Sequence, residues 1–135
     1  MIIRIKQGKS GIEIYLVLGQ KQGRKHTRDQ LDKRVTIYGD LNTLSKAINY
    51  SQEFKKWKKN YWHITVSFTL QNNDISQTDM KNIVKNILAH YFHLYNIKTD
   101  LVAYAEIHYP KIQSLIDLTT KEPNQRLLHL HIVVS

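Results

Sequence analysis

The sequence predicts an α+β fold: an antiparallel β-sheet with helices packed on one or both faces. Three observations predict it. Short segments of apolar, β-branched and aromatic residues recur with the period of two that a strand requires. They are interleaved with two helical regions, and the last two lie close together in sequence, as in an antiparallel sheet. With 135 residues and 41% hydrophobic content, the chain is sized for one domain that holds a core without staples.

Each element has its own reason. Residues 2–6, Ile-Ile-Arg-Ile-Lys, alternate as a strand does. Residues 11–19, Gly-Ile-Glu-Ile-Tyr-Leu-Val-Leu-Gly, are apolar and fit a helix or a strand. Residues 20–30 form a basic, polar loop, and Val35–Tyr38 is a short strand closed by Gly39-Asp40. Asp40 is placed to cap a helix over 42–50, after which a basic helix runs through Lys59. Tyr61–Leu70 is the clearest strand, β-branched and aromatic. Asn72–Asp74 makes a turn. Ser76 then starts the longest helix, to about residue 95, with Met80, Ile83, Val84, Ile87, Leu88, Tyr91 and Leu94 at helical spacing. Leu101–His108 is a strand. Residues 109–126, which hold both prolines, are a loop or a weak hairpin excursion, and 127–134 is the last strand. There is no internal repeat and no low-complexity linker. The stop at Ser135, directly after an apolar strand, suggests that residues 1–135 are the N-terminal part of a longer protein.

Composition narrows the function. Lys and Arg number 20 against 11 Asp and Glu, a net charge of +9. With an isoelectric point near 9.7, this is the electrostatic footprint of a nucleic-acid binder. Cysteine is absent, which excludes disulfides and thiolate metal sites. No apolar run approaches the roughly 18 residues of a membrane span, and the N-terminus is not a signal peptide. A cytoplasmic protein with no membrane partner is expected.

The most informative motif is His129-Leu130-His131 within Leu127–Val134. Side chains alternate along a strand, so the two histidines share one face, about 7 Å apart, while Leu128, Leu130 and Ile132 point into a core. Two imidazoles so placed can converge on one divalent metal; taken alone, the pair also fits a half-exposed sheet face. In the strand at 101–108 the same period puts Tyr104, Glu106 and His108 on one face. If the two strands pair antiparallel, His108 lies beside His129 and His131. Three imidazoles with an open position make a Lewis-acid site, and Glu106 can ligate or orient a histidine. His63 reads as a packed or hydrogen-bonded strand residue, His26 as an exposed loop residue, and His90 and His93 as helix packing.

Basic residues fall in two runs: Lys21, Arg24, Lys25 and Arg28, then Lys55, Lys56, Lys58 and Lys59 among Phe54, Trp57 and Tyr61. Cations interleaved with aromatics suit single-stranded nucleic acid, phosphates on the charges and bases on the rings. A solvated helix face with Phe54 and Trp57 buried is the alternative.

Together these motifs resemble the HUH endonuclease superfamily: a His-hydrophobic-His strand with a third histidine on the strand before it. In that superfamily the catalytic tyrosine follows the His pair in replication initiators and precedes it in plasmid relaxases. Nothing follows the pair here, so the order resembles a relaxase. Tyr15-Leu16, followed by a Gly/Lys-rich stretch, is similar to the relaxase tyrosine motif. Lys59-Asn60-Tyr61-Trp62-His63-Ile64-Thr65-Val66-Ser67-Phe68 looks like the relaxase strand that precedes a long helix. Asp29–Val35 and Gly39-Asp40-Leu41 resemble relaxases of conjugative elements, and Ala105-Glu106-Ile107-His108 with His129–Val134 resembles their metal motif. One departure is the separation of about twenty residues between His108 and His129, longer than in many relaxases.

The resemblance implies a site- and strand-specific DNA nicking enzyme acting at an origin of transfer in plasmid mobilisation or conjugation. Tyr15 would be the nucleophile, leaving a 5′-phosphotyrosine intermediate. Tyr38 and Tyr50 are alternatives upstream of the His pair, and Tyr104 lines the site. His108, His129 and His131 would hold Mg²⁺ or Mn²⁺, with Zn²⁺ or Ni²⁺ also admitted by imidazole donors. Arg24, Lys25, Arg28, Lys55, Lys56, Lys58 and Lys59 would bind single-stranded DNA at the transfer origin, with accessory relaxosome proteins as further partners. Three other readings stay open: a non-catalytic nucleic-acid-binding module, a replication-initiator fragment, and a small-molecule metallohydrolase, against which the +9 charge counts.

Overall fold

A computed structural model describes residues 1–19, 26–69, 75–112, 114–116 and 123–135 of the chain. The period-two segments pair as one open sheet: β1 (Ile2–Gly8), β2 (Asp32–Tyr38), β3 (Tyr61–Ser67), β4 (Ala103–Pro110) and β7 (His129–Val134). Their order is β1-β3-β7-β4-β2, and every neighbouring pair is antiparallel. The fold is therefore α+β, as the patterning predicts. Residues 109–126 contain the hairpin excursion: β5 (Ser114–Ile116) pairs with β6 (Pro123–Gln125) as a separate two-stranded ribbon.

Alternation sorts each central strand between two cores. On one face Ile64 and Val66, Leu130, Ile132 and Val134, and Ala105 and Ile107 pack beneath Met80, Val84, Ile87 and Leu88 of α4 (Gln77–Tyr91). On the other face Val133 and Tyr104 pack beneath Ile12 and Leu16 of α1 (Ile12–Leu18) and Leu44 and Ile48 of α3 (Leu41–Tyr50). Helices thus cover both faces. Leu128, Leu130 and Ile132 are fully buried, each contributing about 1.5–3 kcal/mol by leaving water.

Residues 12–18 resolve as helix. Ile12 and Leu16 stand at i and i+4, and left-handed glycines, Gly11 (φ 89°) and Gly19 (φ 65°), bound the segment. The region read as a basic loop holds α2 (Arg28–Leu31), closed by a capping box in which Thr27 and Gln30 each accept a backbone hydrogen bond from the other. Asp40 caps α3 through the Thr43 backbone N–H at 2.9 Å. The basic helix expected through Lys59 ends early: a π-helical turn, Ser51–Lys55, closes with Lys56 in the left-handed region. Likewise α4 stops at Tyr91, which leaves Leu94 on a turn and 84% exposed. The turn expected at Asn72–Asp74 lies outside the described residues.

Candidate metal centre and its cleft

Register assembles the site. The β4–β7 pairing sets His108 opposite His129 and Glu106 opposite His131, and the β3–β7 pairing adds Thr65 beside His131. One nitrogen from each of His108, His129 and His131 lies within 4.8 Å of the other two, a cluster that could hold a metal ion. The three histidines expected as ligands are therefore brought together.

The hydrogen bonds choose the ligand atoms. His108 Nε2 lies 2.8 Å from Glu106 Oε2, leaving Nδ1 buried and without a hydrogen-bond partner. His131 Nδ1 lies 2.9 Å from His63 Nε2, leaving Nε2 buried and without a partner. His129 Nδ1 donates to the Leu127 carbonyl at 2.9 Å, leaving its Nε2 as the ligand nitrogen. A buried imidazole nitrogen with no partner is costly. Two such nitrogens aimed into one cluster fit a metal, with the opposite ring nitrogens held in the manner of metal-ligating histidines.

Electrostatics keep the ligands neutral. Burial depresses all three imidazoles; neighbouring rings add to it at His129 and His131, while Glu106 and Asp32 partly offset it at His108. His129 falls from its ordinary 6.5 to about 4. Glu106, fully buried, accepts a two-pronged bond from Arg34 at 2.6 and 2.8 Å and a bond from the Tyr104 hydroxyl at 3.2 Å. Burial alone would raise its carboxyl, but the Arg34 and His108 hydrogen bonds outweigh it and hold it at about 2. Glu106 thus orients His108 as an anion. Asp32 is a second buried carboxylate, 3.8 Å from His108 Nδ1. Arg28 and Arg126 each pair with it at 2.8 Å. Against the upward push of burial, those partners hold its carboxyl below the usual range.

Tyr15 lies over this cluster. Its ring meets His63 and His131 edge-on, with centroids 5.9 and 6.0 Å apart. The cleft between α1 and the sheet has a volume of about 460 Å³ and is lined by Tyr15, Tyr61, His63, Thr65, His129 and His131, with Arg4 and Lys6 from β1. A larger cavity of about 550 Å³, between Lys33, Val35, Tyr109 and Lys111, contains none of the histidines. The smaller cleft is the one that opens onto the histidines.

Two expectations are revised here. Arg28 is not a surface DNA contact. It is 1% exposed, pairs with Asp32, and donates to the Tyr15 carbonyl at 3.2 Å. Its guanidinium carbon lies 5.1 Å from the Tyr15 ring centroid, so it ties α1 to β2 instead of meeting a ligand. The alternative reading that buries Phe54 and Trp57 also fails, since both are exposed. Lys55, Lys56, Lys58 and Lys59 are exposed as expected, and Arg24 and Lys25 lie outside the described residues. Tyr104 is buried and its hydroxyl is shared with Thr36 and Glu106. Tyr38 packs with the core under α4, and Tyr50 is exposed against Phe54. His26 is half-buried, while His90 and His93 are exposed, with His93 beyond the end of α4.

Sequence reasoning gave Asp32, Arg34 and Arg126 no site role, and it read His63 as a packed or hydrogen-bonded strand residue without naming His131 as its partner. It read Tyr61 as an aromatic of the basic run and not as part of the cleft, which Tyr61 lines; its hydroxyl donates to the Ser10 carbonyl at 3.4 Å and its phenol is pushed up by burial. Period two within β3 puts Tyr61, His63 and Thr65 on one face; only the pairing with β7 says that it is the metal face. Compared with known proteins, the chain matches no family model, no curated protein and no solved structure.

Proposed function

We propose that this protein is a metal-dependent DNA strand transferase of the relaxase type, which nicks one strand at an origin of transfer through Tyr15. The observation that carries the reading is that Tyr15 lines one cleft with His129 and His131 of the three-histidine cluster, edged by Arg4 and Lys6, with His108 buried directly behind them. The charge of +9 favours a polyanionic substrate over a small molecule.

The chemistry asks four things of these residues. Arg4 and Lys6 attract the phosphate backbone into the cleft. Half-buried Tyr15, anchored through its carbonyl by Arg28, presents a hydroxyl on a short, doubly glycine-bounded helix. Its oxygen bonds to phosphorus as the P–O3′ bond breaks. The phenolic proton passes to solvent and the leaving 3′ oxygen takes one up from solvent, so one phosphodiester is exchanged for another, on tyrosine, and resealing is possible. His108, His129 and His131 would hold a divalent ion, which would supply Lewis-acid stabilisation of charge on the phosphate oxygens. Glu106 and His63 fix the ring orientations of His108 and His131. Mg²⁺ or Mn²⁺ serves this role, and the all-imidazole donor set makes Zn²⁺ and Ni²⁺ the ions to test beside them. The cytoplasm is the compartment in which such a substrate is met.

The test is a covalent-adduct assay. Single-stranded oligonucleotides tiling the transfer origin of the host element are incubated with the protein and each ion, then run on a denaturing gel. The expected result is a metal-dependent adduct, lost in Tyr15→Phe and His129→Ala and kept in Tyr61→Phe. Salt-sensitive DNA binding with no adduct under any ion would overturn the reading in favour of a binding module.

A further inference from the structure

The segment that joins α3 to β3 carries a surface that the reaction above does not use. Tyr50, Phe54 and Trp57 are 56%, 64% and 53% exposed. Tyr50 and Phe54 pack ring against ring with centroids 5.0 Å apart, and Lys55 Nζ sits 4.8 Å over the Trp57 ring. Lys55, Lys56, Lys58 and Lys59 surround them, all exposed. The two apolar cores are filled by other residues, so these rings forgo burial that would stabilise the fold. The backbone is unusual at the same place. A π-helical turn ends at Lys56 with φ 53°, the one non-glycine positive φ among the described residues. Such turns recur at functional sites.

The surface adjoins the cleft. Asn60 donates its backbone N–H to the Gly8 carbonyl at 2.7 Å and its side-chain amide to the Lys9 carbonyl at 2.9 Å, which fixes the chain as it enters β3. Tyr61 follows and lines the cleft. Five residues separate Trp57 from His63, a span of at most about 20 Å.

We propose that Tyr50, Phe54 and Trp57 are a stacking platform for unpaired bases of the DNA strand beside the cleft, with the neighbouring lysines on its phosphates. This rests on the strand-transfer reading for its substrate. Charge complementarity selects a polyanion, and the rings select one whose base faces are free. A duplex offers phosphates but hides those faces, so the platform discriminates single strand from duplex. An acidic protein would engage the lysines and leave the rings unused.

The test measures binding of the full chain to a labelled oligothymidylate and to a DNA hairpin duplex over a salt series. Phe54→Ala/Trp57→Ala is expected to weaken single-strand binding by about ten-fold or more, with little effect on the duplex and an unchanged salt slope. Trp57→Phe should bind as the wild type and Trp57→Leu should not. Lys58→Ala/Lys59→Ala should instead lower the salt slope by about one to two. The rings are exposed, so these variants keep their fold, which circular dichroism checks. Single-strand affinity unchanged in the double ring variant, or lost equally for duplex, overturns the platform. So does a ring variant that alters only the oligomeric state, or a wild-type chain that binds no DNA. Ring-dependent binding with no covalent adduct sinks the strand-transfer chemistry and leaves the platform. An adduct with ring-independent binding does the reverse.

Discussion

At the residue scale, the site is governed by neutral imidazoles whose partners are carboxylates and other rings. His108, His129 and His131 were legible because period two in two strands puts them on one face. Arg28 was misread because a basic run looks solvated. Asp32, four residues on and across one turn of α2, takes its charge inside. Glu106 holds His108 by one oxygen and Arg34 by both, so Glu106→Gln should lower metal affinity by about 10–100-fold, measured by calorimetry with Mn²⁺ and Zn²⁺. The depressed imidazoles also set an acid limit. In the unfolded chain a histidine takes up its proton near 6.5, whereas half-buried His63 and His129 do so near 4. Between those values the unfolded state binds more protons, so stability rises with pH there. The metal-free protein should therefore lose stability as pH falls from 6.5 to about 4, in urea unfolding at stepped pH. His129→Gln should flatten part of that slope.

At the element scale, strand patterning was legible and the ends of helices were not. The run from Ser76 to residue 95 reads as one helix from its apolar spacing, yet α4 ends at Tyr91 because the turn that follows takes Leu94 away from the sheet. The two leucines differ accordingly. Leu130→Ala, in the fully buried centre of β7, should cost about 2–5 kcal/mol; Leu94→Ala should stay within about 0.5 kcal/mol. Gly39 shows what a turn demands. It has φ 71°, and a Cβ there would collide with the Ala103 carbonyl oxygen. Gly39→Ala should therefore destabilise the β2–α3 turn by more than about 1 kcal/mol, in the same urea assay. The π-helical turn has no period in the sequence to announce it. An extra residue in one turn shifts the side chains that follow around the helix axis, and Phe54 emerges on the outside, with Trp57 exposed just past the end of the turn.

At the scale of the whole molecule, strand order does what no single motif can. The chain places β7 last in sequence but at the centre of the sheet, between β3 and β4. That position brings His63 and Thr65 from one side and Glu106 and His108 from the other onto the His129 and His131 face. It also lets α1, near the N-terminus, carry Tyr15 across residues near the C-terminus. The sequence order of tyrosine before histidines is visible without a structure; their meeting in one cleft depends on long-range pairing that local patterns do not encode. With Arg4 and Lys6 in the cleft and a net charge of +9, DNA binding should weaken steeply as salt rises.

The central claim is that Tyr15 is the residue joined to DNA beside the three histidines. Peptide mapping by mass spectrometry, after metal-dependent incubation with the transfer-origin strand and nuclease trimming, tests it most directly. The account predicts a nucleotide mass on the peptide that contains Tyr15, absent when His131→Ala is used. A nucleotide on Tyr61 or Tyr50, or none on any tyrosine while DNA is bound, would contradict it.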